Sequence, residues 1–385
     1  CVSAGSSDSN WSVYLGDKGA NQYSVLDQIN PENVGLLEVA WKFRSGDIGP
    51  DSRTQIQCNP LIIEGILYAT SPQLTLFALD AANGKELWRF DPFEGKGNPS
   101  RMGKNRGLAY WGKGGDSRIL FGVQSHLYAI DPESGKPIRE FGENGKVNLK
   151  INLGRKAEDL ALVSNTPGVV FENLIIMGMR VAEGPGPAAP GPIRAYDVIT
   201  GDLVWRFDTI PQPGQFGYET WPEDAYKTVG GANAWTGLSL DEERGIVYCP
   251  TGSAAFDFWG GTRLGDNLFA NCLIALNART GERIWHYQIV RHDMWDRDLP
   301  ASPNLFNINR NGKTIPAVAQ ITKSGHVFVF NRETGIPLYP VEEVPVPESD
   351  LKGEKVAASQ PLPILPKPFA RQVFSADMIS RRSPE

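Results

Sequence analysis

Short apolar stretches alternate with turn residues along most of the chain, and one pattern recurs five times. Each copy has an apolar run, an Asp or Asn, a Gly four residues later and a second apolar run. The alternation and the β-branched residues predict strands, and the turn residues predict that the two strands form a hairpin. The copies are LFALDAANGKELWRF (76–90), LYAIDPESGKPIREF (127–141), IRAYDVITGDLVWRF (193–207), LIALNARTGERIWHY (273–287) and VFVFNRETGIPLYPV (327–341).

The spacing of the hairpins predicts an all-β fold, a β-propeller built from four-stranded blades. Successive turn residues are 51, 66, 80 and 54 residues apart, close to or above the length of one blade. Strand-like stretches upstream of each hairpin supply the inner strands. Trp88, Trp205 and Trp285 recur at one place in the repeat, and we expect them to pack one blade against the next.

The two ends of the repeat region do not match each other. NPENVGLLEVAWKF (30–43) resembles the closing half of a blade without its opening half. After residue 341 the chain is Pro-rich and weakly patterned, and no further repeat follows. A ring closed by this chain alone is therefore not predicted.

Charge and hydrophobicity exclude some classes of function. The chain has 385 residues, a net charge of -6 and a pI near 5.5, which argues against a nucleic-acid partner, because phosphate binding needs a basic surface. The longest apolar runs are too short for a membrane helix. These features favour a small molecule or a protein as the partner.

The four cysteines lie far apart and form no zinc, dithiol or haem-attachment motif. Cys58, Cys249 and Cys272 lie in strand-like sequence, where we expect buried free thiols. Cys1 is followed by small polar residues and resembles the start of a mature bacterial lipoprotein; an arbitrary chain start is the alternative.

Three motifs occur in order on this repeat: NRGLAYW (105–111), VAEG (181–184) and HDMWDRDLP (292–300). With the hairpins and their tryptophans, they resemble the dehydrogenases of alcohols and sugars that depend on pyrroloquinoline quinone (PQQ). The resemblance runs from Trp11 onward and implies an eight-bladed propeller in the periplasm, of which this chain would lack about two blades. We therefore expect a linker or lipid-anchored tail at 1–10 and a propeller domain, incomplete at its C-terminus, at 11–385. The alternatives are a fragment and a ring completed by a second polypeptide.

The resemblance implies a cofactor site. PQQ is a flat orthoquinone with carboxylates, so its site needs cations and an apolar face. Arg106 matches a ligand of a cofactor carboxylate, which a planar guanidinium can bind through two bonds. Trp235 matches the floor under the quinone, with blade packing as the alternative role, and Ser164 and Thr166 are also implied as cofactor contacts. Lys323 matches the basic residue beside the quinone oxygens, where a cation stabilises the reduced quinone.

The resemblance also implies a metal site, with Ca²⁺ expected and Mg²⁺ or a lanthanide as alternatives. Glu183 matches a bidentate ligand, and hard divalent ions prefer such oxygens. Ser253 stands where the family has an asparagine, which weakens that ligand. Asp296 and Asp298 complete the implied set.

The HDMWDRDLP stretch places several ionisable side chains close to one tryptophan, Trp295. In the family the second aspartate of this motif, here Asp296, touches the metal and removes the alcohol proton as general base. We expect Trp295 and His292 to hold the loop and Asp293 to be structural. Together with Lys323, Asp296 would carry the catalysis.

The motifs disagree about the substrate. Lys323 and DLPASP favour sugars or polyols, whereas NRGLAYW and Glu183 favour simple alcohols. Ser100 and Arg101 replace the adjacent cysteines that some alcohol oxidisers have. Electrons would pass to ubiquinone or cytochrome c.

Two other interpretations remain. One is a non-catalytic propeller scaffold like the lipid-anchored factors of outer-membrane assembly, which have no reason to keep Arg106, Glu183, Asp296 and Lys323 together. The other is an inactive quinoprotein homologue, suggested by Ser253. Cofactor titration separates an active enzyme from an inactive one.

Overall fold

A computed structural model describes residues 10–48, 55–98, 104–380 and 382. Cys1 and most of the predicted tail, together with Ser100 and Arg101, lie outside these residues. The only helices in this part are short: 3₁₀ turns at Val34–Leu36, Tyr218–Thr220 and Ala376–Met378, and α1 at Ala225–Thr228. Across the same residues, no helix has the length and apolar character needed to cross a bilayer.

Antiparallel sheets follow one another along the described chain. The first contains β1 (Leu61–Ile63), β2 (Ile66–Thr70), β3 (Leu76–Asp80) and β4 (Glu86–Phe90). The second contains β5 (Ala109–Lys113), β6 (Asp116–Val123), β7 (His126–Ile130) and β8 (Lys146–Asn148). A small pair, β9 (Leu162–Val163) and β12 (Arg180–Val181), flanks the third sheet, which contains β10 (Val169–Phe171), β11 (Leu174–Met177), β13 (Ile193–Asp197) and β14 (Leu203–Phe207).

The remaining sheets continue the series. The fourth contains β15 (Ser239–Asp241), β16 (Ile246–Pro250), β17 (Cys272–Asn277) and β18 (Arg283–Gln288). The fifth contains β19 (Asn304–Arg310), β20 (Lys313–Ile321) and β21 (Val327–Asn331), and a separate pair joins β22 (Val341–Pro345) to β23 (Ser359–Pro363). The predicted all-β propeller of four-stranded blades is confirmed.

The hydrophobic core lies between successive sheets. Each of the four large clusters of buried apolar side chains combines residues of two neighbouring sheets, for example Leu61 and Phe121 from the first and second. Both faces of the inner blades are therefore covered, which explains why β16 and β17 are buried along almost their whole length.

The recurring tryptophans pack blade on blade, as predicted. Trp205 Nε1 donates to Ala278 O of the next sheet at 3.1 Å. Its ring lies on Gly281, where an added Cβ would come within 2.6 Å of the indole. Trp88 with Gly135 and Trp285 with Gly335 repeat this contact.

Two of the five predicted hairpins lack their second strand. Proline follows the turn glycine by two residues at Pro137 and Pro337, and in both places only an isolated bridge forms. Proline has no N–H to donate to the ladder. In the second sheet β8 supplies the outer strand instead.

Residues 30–43, predicted as an outer strand, form the 3₁₀ turn and extended chain without a ladder. Trp41 nevertheless docks like the other tryptophans: its Nε1 donates to Ala81 O at 3.1 Å, and its ring lies on Gly84. The segment therefore occupies the place of an outer strand although no partner strand is present among the described residues.

Candidate active site

The topology brings most of the predicted site residues to one end of the blades. In an antiparallel four-stranded blade, the connection into the first strand and the connection between the second and third strands lie at the same end. Arg106, Thr166 and Trp235 lie just before the inner strands β5, β10 and β15. Ser253 and Lys323 follow the second strands β16 and β20.

Arg106, Thr166 and Trp235 form one cluster although they come from three blades. Arg106 Nη1 donates to Thr166 Oγ1 at 3.1 Å and to Trp235 O at 3.3 Å. Thr166 Oγ1 donates to the same carbonyl at 2.7 Å. The guanidinium carbon lies 5.2 Å from the centre of the indole. Burial lowers the pKa of Arg106, but a guanidinium remains charged at neutral pH.

Ser164 is directed elsewhere. It is buried beside Gly122, where an added Cβ would lie within 2.3 Å of Ser164 Oγ. Its N–H donates to Gln124 O at 2.7 Å. The structure thus ties Ser164 to the second blade, and its role as a cofactor contact stays a prediction.

The carboxylate of Asp298 joins the indole to the charged loop. Its Oδ2 accepts hydrogen bonds from Trp235 Nε1 at 3.0 Å and from Lys323 Nζ at 3.1 Å. Its Oδ1 accepts one from the N–H of Ser253 at 2.6 Å. An alanine at Gly252 would place its Cβ within 2.5 Å of this oxygen. Asp298 therefore fixes the edge of the indole and the position of Lys323 together.

Asp296 and Lys323 form an ion pair at the surface of the site. Lys323 Nζ lies 2.6 Å from Asp296 Oδ1 and 5.9 Å from the centre of the Trp235 ring. Burial raises the pKa of Asp296, against the opposing hydrogen bond from Lys323. Burial opposes the charge of Lys323, but Asp296 and Asp298 outweigh it and raise its pKa. Both side chains keep about a third of their surface exposed, so a ligand can reach them.

The backbone at Asp296 is held in the left-handed region, with φ of 55°. That conformation is uncommon for a residue with a side chain and persists only where neighbours determine it. Here Asp293 is the neighbour: its carboxylate accepts the N–H groups of Trp295 at 2.9 Å and Arg297 at 2.6 Å. Asp293 is thus structural, as predicted.

His292 anchors the same loop to distant segments. Its Nδ1 lies 2.8 Å from Gly265 O, and its Nε2 lies 2.8 Å from Glu354 Oε1. Glu354 Oε2 also accepts the N–H of Gly260. Both ionisable side chains are buried, so the predicted holding role of His292 depends on a partner in the Pro-rich segment.

Ser253 is engaged by structural bonds. Its hydroxyl donates to Asp293 Oδ2 and accepts from Asn271 Nδ2 at 3.2 Å. Asn271 also donates to Asp293 at 2.9 Å. A hydroxyl bonded in this way has little capacity left for a cation, so Ser253 as a metal ligand stays a prediction.

Glu183 lines the same cleft as Asp298 and is the most exposed of the predicted ligands. Its side chain is 63% exposed, and its Oε1 lies 3.2 Å from Arg180 Nη2. Within the described residues, no group of three or more His, Cys, Asp or Glu side chains is arranged to hold a metal ion as it stands.

Asp257 is a site residue that sequence reasoning missed. It lines the same cleft as Glu183, Ser253, Trp235 and Asp298. Burial, followed by the charges of Asp298, Asp296 and Glu183, raises the pKa of Asp257 to about 8. The sequence signal was an aspartate between aromatic residues in the loop that contains Ser253.

The chain matches a family model described as the β-propeller domain of PQQ-dependent glucose, ethanol and alcohol dehydrogenases, over residues 11–384. The chain belongs to this quinoprotein family. Its architecture and the order of its motifs agree with that membership.

Individual relatives of this quinoprotein are bacterial. Quinoprotein glucose dehydrogenase A of Acinetobacter calcoaceticus is 34% identical over 388 residues, which cover 93% of this chain and 48% of the relative. The quinate/shikimate dehydrogenase (quinone) of Acinetobacter baylyi is 34% identical over 377 residues, covering 91% and 46%. The solved quinohemoprotein alcohol dehydrogenase ADHIIG of Pseudomonas putida matches with a TM-score of 0.73 and 28% identity, covering 92% and 51%. The chain thus spans about half the length of these relatives.

The observed residues fit the family's cofactor in their chemistry. Two cations, Arg106 and Lys323, lie over the ring of Trp235, which offers a flat apolar face. An anionic planar ligand is the complement of such a set. For a metal, the carboxylates of Glu183, Asp257 and Asp298 line one cleft and supply the oxygen donors that a hard cation prefers.

Proposed function

We propose that this chain carries the catalytic site of a PQQ-dependent dehydrogenase. Its substrate would be the hydroxyl group of an alcohol, a polyol or a sugar, and its electrons would pass to ubiquinone or a cytochrome. The observation that carries the proposal is the linked set of Asp296, Lys323, Asp298 and Trp235, which joins a base, a cation and an aromatic face.

Asp296 is the proposed general base. Its carboxylate is partly exposed and accepts a hydrogen bond from Lys323 Nζ at 2.6 Å. A base acts only in its ionised form, and the nearby ammonium favours that form. Asp296 would take the hydroxyl proton as the substrate carbon loses a hydride and becomes a carbonyl carbon.

PQQ, when bound, supplies the quinone that accepts this hydride. Arg106 would bind one of its carboxylates, and Trp235 would support the ring from one side. Lys323 would stabilise negative charge on the quinone oxygens, because a fixed cation in a shielded site acts more strongly than one in water. Glu183 and Asp298 would contribute oxygen ligands for a cation that polarises the reacting carbonyl.

A periplasmic location belongs to the same proposal, since electron transfer to ubiquinone or a cytochrome is expected there for the family that the chain resembles. Fractionation of the source cells tests it. Recovery in the cytoplasmic fraction would contradict it.

The first experiment is reconstitution of the purified full chain with PQQ, with Ca²⁺ and La³⁺ in parallel, and dye reduction across a panel of alcohols and sugars. Cation-dependent reduction would support the proposal and identify the substrate class. If PQQ binds under neither condition, the proposal fails and an inactive or scaffold propeller replaces it.

A further inference from the structure

A buried carboxyl group without a hydrogen-bond partner lies in the cleft that Glu183 also lines. Asp257 is only 4% exposed, and its N–H donates to Glu183 O at 3.4 Å. Among the described residues, none donates a hydrogen bond to its side chain or forms an ion pair with it. A buried carboxyl group without a partner either holds a proton or takes up a cation, and the neighbouring carboxylates in this cleft favour a cation.

The nearest buried cation does not supply that complement. The guanidinium of Arg263 is fully buried and donates to Asn267 Oδ1 at 2.8 Å and to Phe256 O at 3.0 Å. It also donates to Asp293 O. Its bonds therefore hold the surrounding loop and leave Asp257 unpaired.

The neighbours of Asp257 in the cleft are oxygen donors. Glu183 and Asp298 line the cleft with it, as does Ser253. The Ser253 hydroxyl, however, is committed to Asp293 and Asn271. The cleft thus holds three carboxyl groups. Among the described residues, Glu183 and Asp298 form ion pairs, with Arg180 and Lys323, whereas Asp257 has only the more distant charge of Arg263.

We propose that Asp257 is a direct ligand of a hard cation in this cleft and that it adds a donor stronger than the engaged hydroxyl of Ser253. The inference rests on the proposed function and extends it, because it assigns this chain a carboxylate ligand that the motif comparison did not predict. A carboxylate is the stronger donor for Ca²⁺ or a trivalent lanthanide. When ionised, it also adds a negative charge to those of Glu183 and Asp298 in the cleft, which favours a cation of higher charge.

The test is cation binding by the full chain saturated with PQQ, with Tb³⁺ as the probe and Ca²⁺ as competitor. Tb³⁺ luminescence excited through tryptophan reports binding, and its lifetimes in H₂O and D₂O report the number of bound waters. Asp257→Asn keeps the shape of the side chain and removes its charge. We expect its dissociation constant to rise roughly tenfold or more and its bound Tb³⁺ to gain water.

The matched control is Asp202→Asn, which removes an exposed carboxylate far from the cleft on the hairpin between β13 and β14. It should leave cation affinity unchanged. Asp257→Ser provides a second variant if the asparagine variant fails to fold, as judged by circular dichroism.

The outcomes separate this inference from the proposed function. If the wild-type chain binds PQQ and Tb³⁺ and the Asp257 variants bind Tb³⁺ equally well with the same hydration, Asp257 is not a ligand and the proposed function stands. If the wild-type chain binds neither, both fall. Weaker binding and added water in the variants alone support the inference.

Discussion

Asp298 connects three parts of the site. One carboxylate accepts hydrogen bonds from the indole of Trp235, from the ammonium of Lys323 and from the backbone of Ser253. The positions of Trp235, which would support the quinone ring, of Lys323, which would stabilise its negative charge, and of the loop after β16 therefore all depend on this carboxylate. Removing this carboxylate would disturb all three together, so it is a poor probe of any one role.

Asp296 is a better probe, because it has fewer structural contacts. In the Asp296→Asn variant we expect turnover to fall by roughly 10²- to 10⁴-fold, the usual contribution of a positioned base. Steady-state dye reduction by the reconstituted chain measures it. PQQ binding should persist, and unchanged turnover would eliminate Asp296 as the base.

Arg106 can be tested through cofactor affinity. Arg106→Ala removes a half-buried guanidinium, and a hydrogen bond to a charged group contributes about 1.5–3 kcal/mol. The dissociation constant of PQQ should rise roughly 10- to 150-fold by fluorescence titration. Arg89→Ala, which removes an exposed arginine paired with Glu86, is the control and should bind PQQ normally. Equal affinities in the two variants would refute the assignment.

His286 makes stability depend on pH. Burial beside Phe216 and Phe269, with Arg283 nearby, lowers the pKa of His286 to about 4. The unfolded chain would titrate at about 6.5, so it binds the proton first and stability falls as pH drops from about 6.5 to about 4. Denaturant unfolding at several pH values should show a smaller acid loss in His286→Gln. Identical pH profiles would show that His286 does not contribute.

The sequence predicted the site residues that lie in continuous motifs. Arg106, Asp296 and Lys323 were found because their neighbours in the chain identify them. Asp257 and Glu354 were missed because their importance comes from burial and from contacts between distant segments. No local pattern records that kind of contact.

At the scale of elements, the hairpins were predictable and their exceptions had a local cause. Turn residues and alternation identified all five turns, and the three copies without proline after the glycine pair both of their strands, each with one register shift near the turn. Pro137 and Pro337 were visible in the sequence as well. Their effect on pairing follows from the missing N–H.

The docking tryptophans give an element-scale prediction. Trp205→Ala removes a buried indole and its hydrogen bond to Ala278. We expect a loss of about 3–5 kcal/mol in the free energy of unfolding, as for other buried aromatic residues. Urea denaturation measures it. Val204→Ala, at an exposed position of β14, should cost less than about 1 kcal/mol, and similar losses in both variants would contradict the docking role.

The Pro-rich segment after residue 341 could not be interpreted from its sequence. It forms the pair of β22 and β23, and between them Glu354 reaches the buried His292. Its proline and polar residues show no alternation of apolar and polar positions from which these two strands could be predicted. It is held by the contact between Glu354 and His292 and by hydrogen bonds between Gln360 and Arg291.

For the whole molecule, the repeat was enough to predict the fold because each blade has the same topology. That topology also explains why residues far apart in the chain meet at one end of the blades. The arrangement of the segment before the first sheet was less predictable. Residues 18–20 bond to Leu240 and Leu305 of the fourth and fifth sheets, although Trp11 pairs with Ile62 of the first.

An exposed apolar row gives a prediction for the whole molecule. Its members lie on one segment: Tyr23, Val25, Leu26, Ile29, Val34, Leu36, Leu37 and Val39. Such surfaces favour association, so the chain should self-associate as its concentration rises in light scattering. Leu36→Ser combined with Val39→Ser should weaken this, and a monomer at all concentrations would contradict the prediction.

The contact between tryptophan and glycine has an evolutionary consequence. A blade such as the first carries a glycine in its turn, Gly84, and a tryptophan on its outer strand, Trp88. A tandem duplication of such a blade supplies both the glycine and the tryptophan of the contact between blades. The copy can therefore pack against its neighbours on either side without a new type of contact. A point mutation at the glycine, by contrast, disrupts the contact of its blade with the tryptophan that precedes it, as Gly84 contacts Trp41. Propellers of this type can therefore gain whole blades more readily than they can vary the residues that join them.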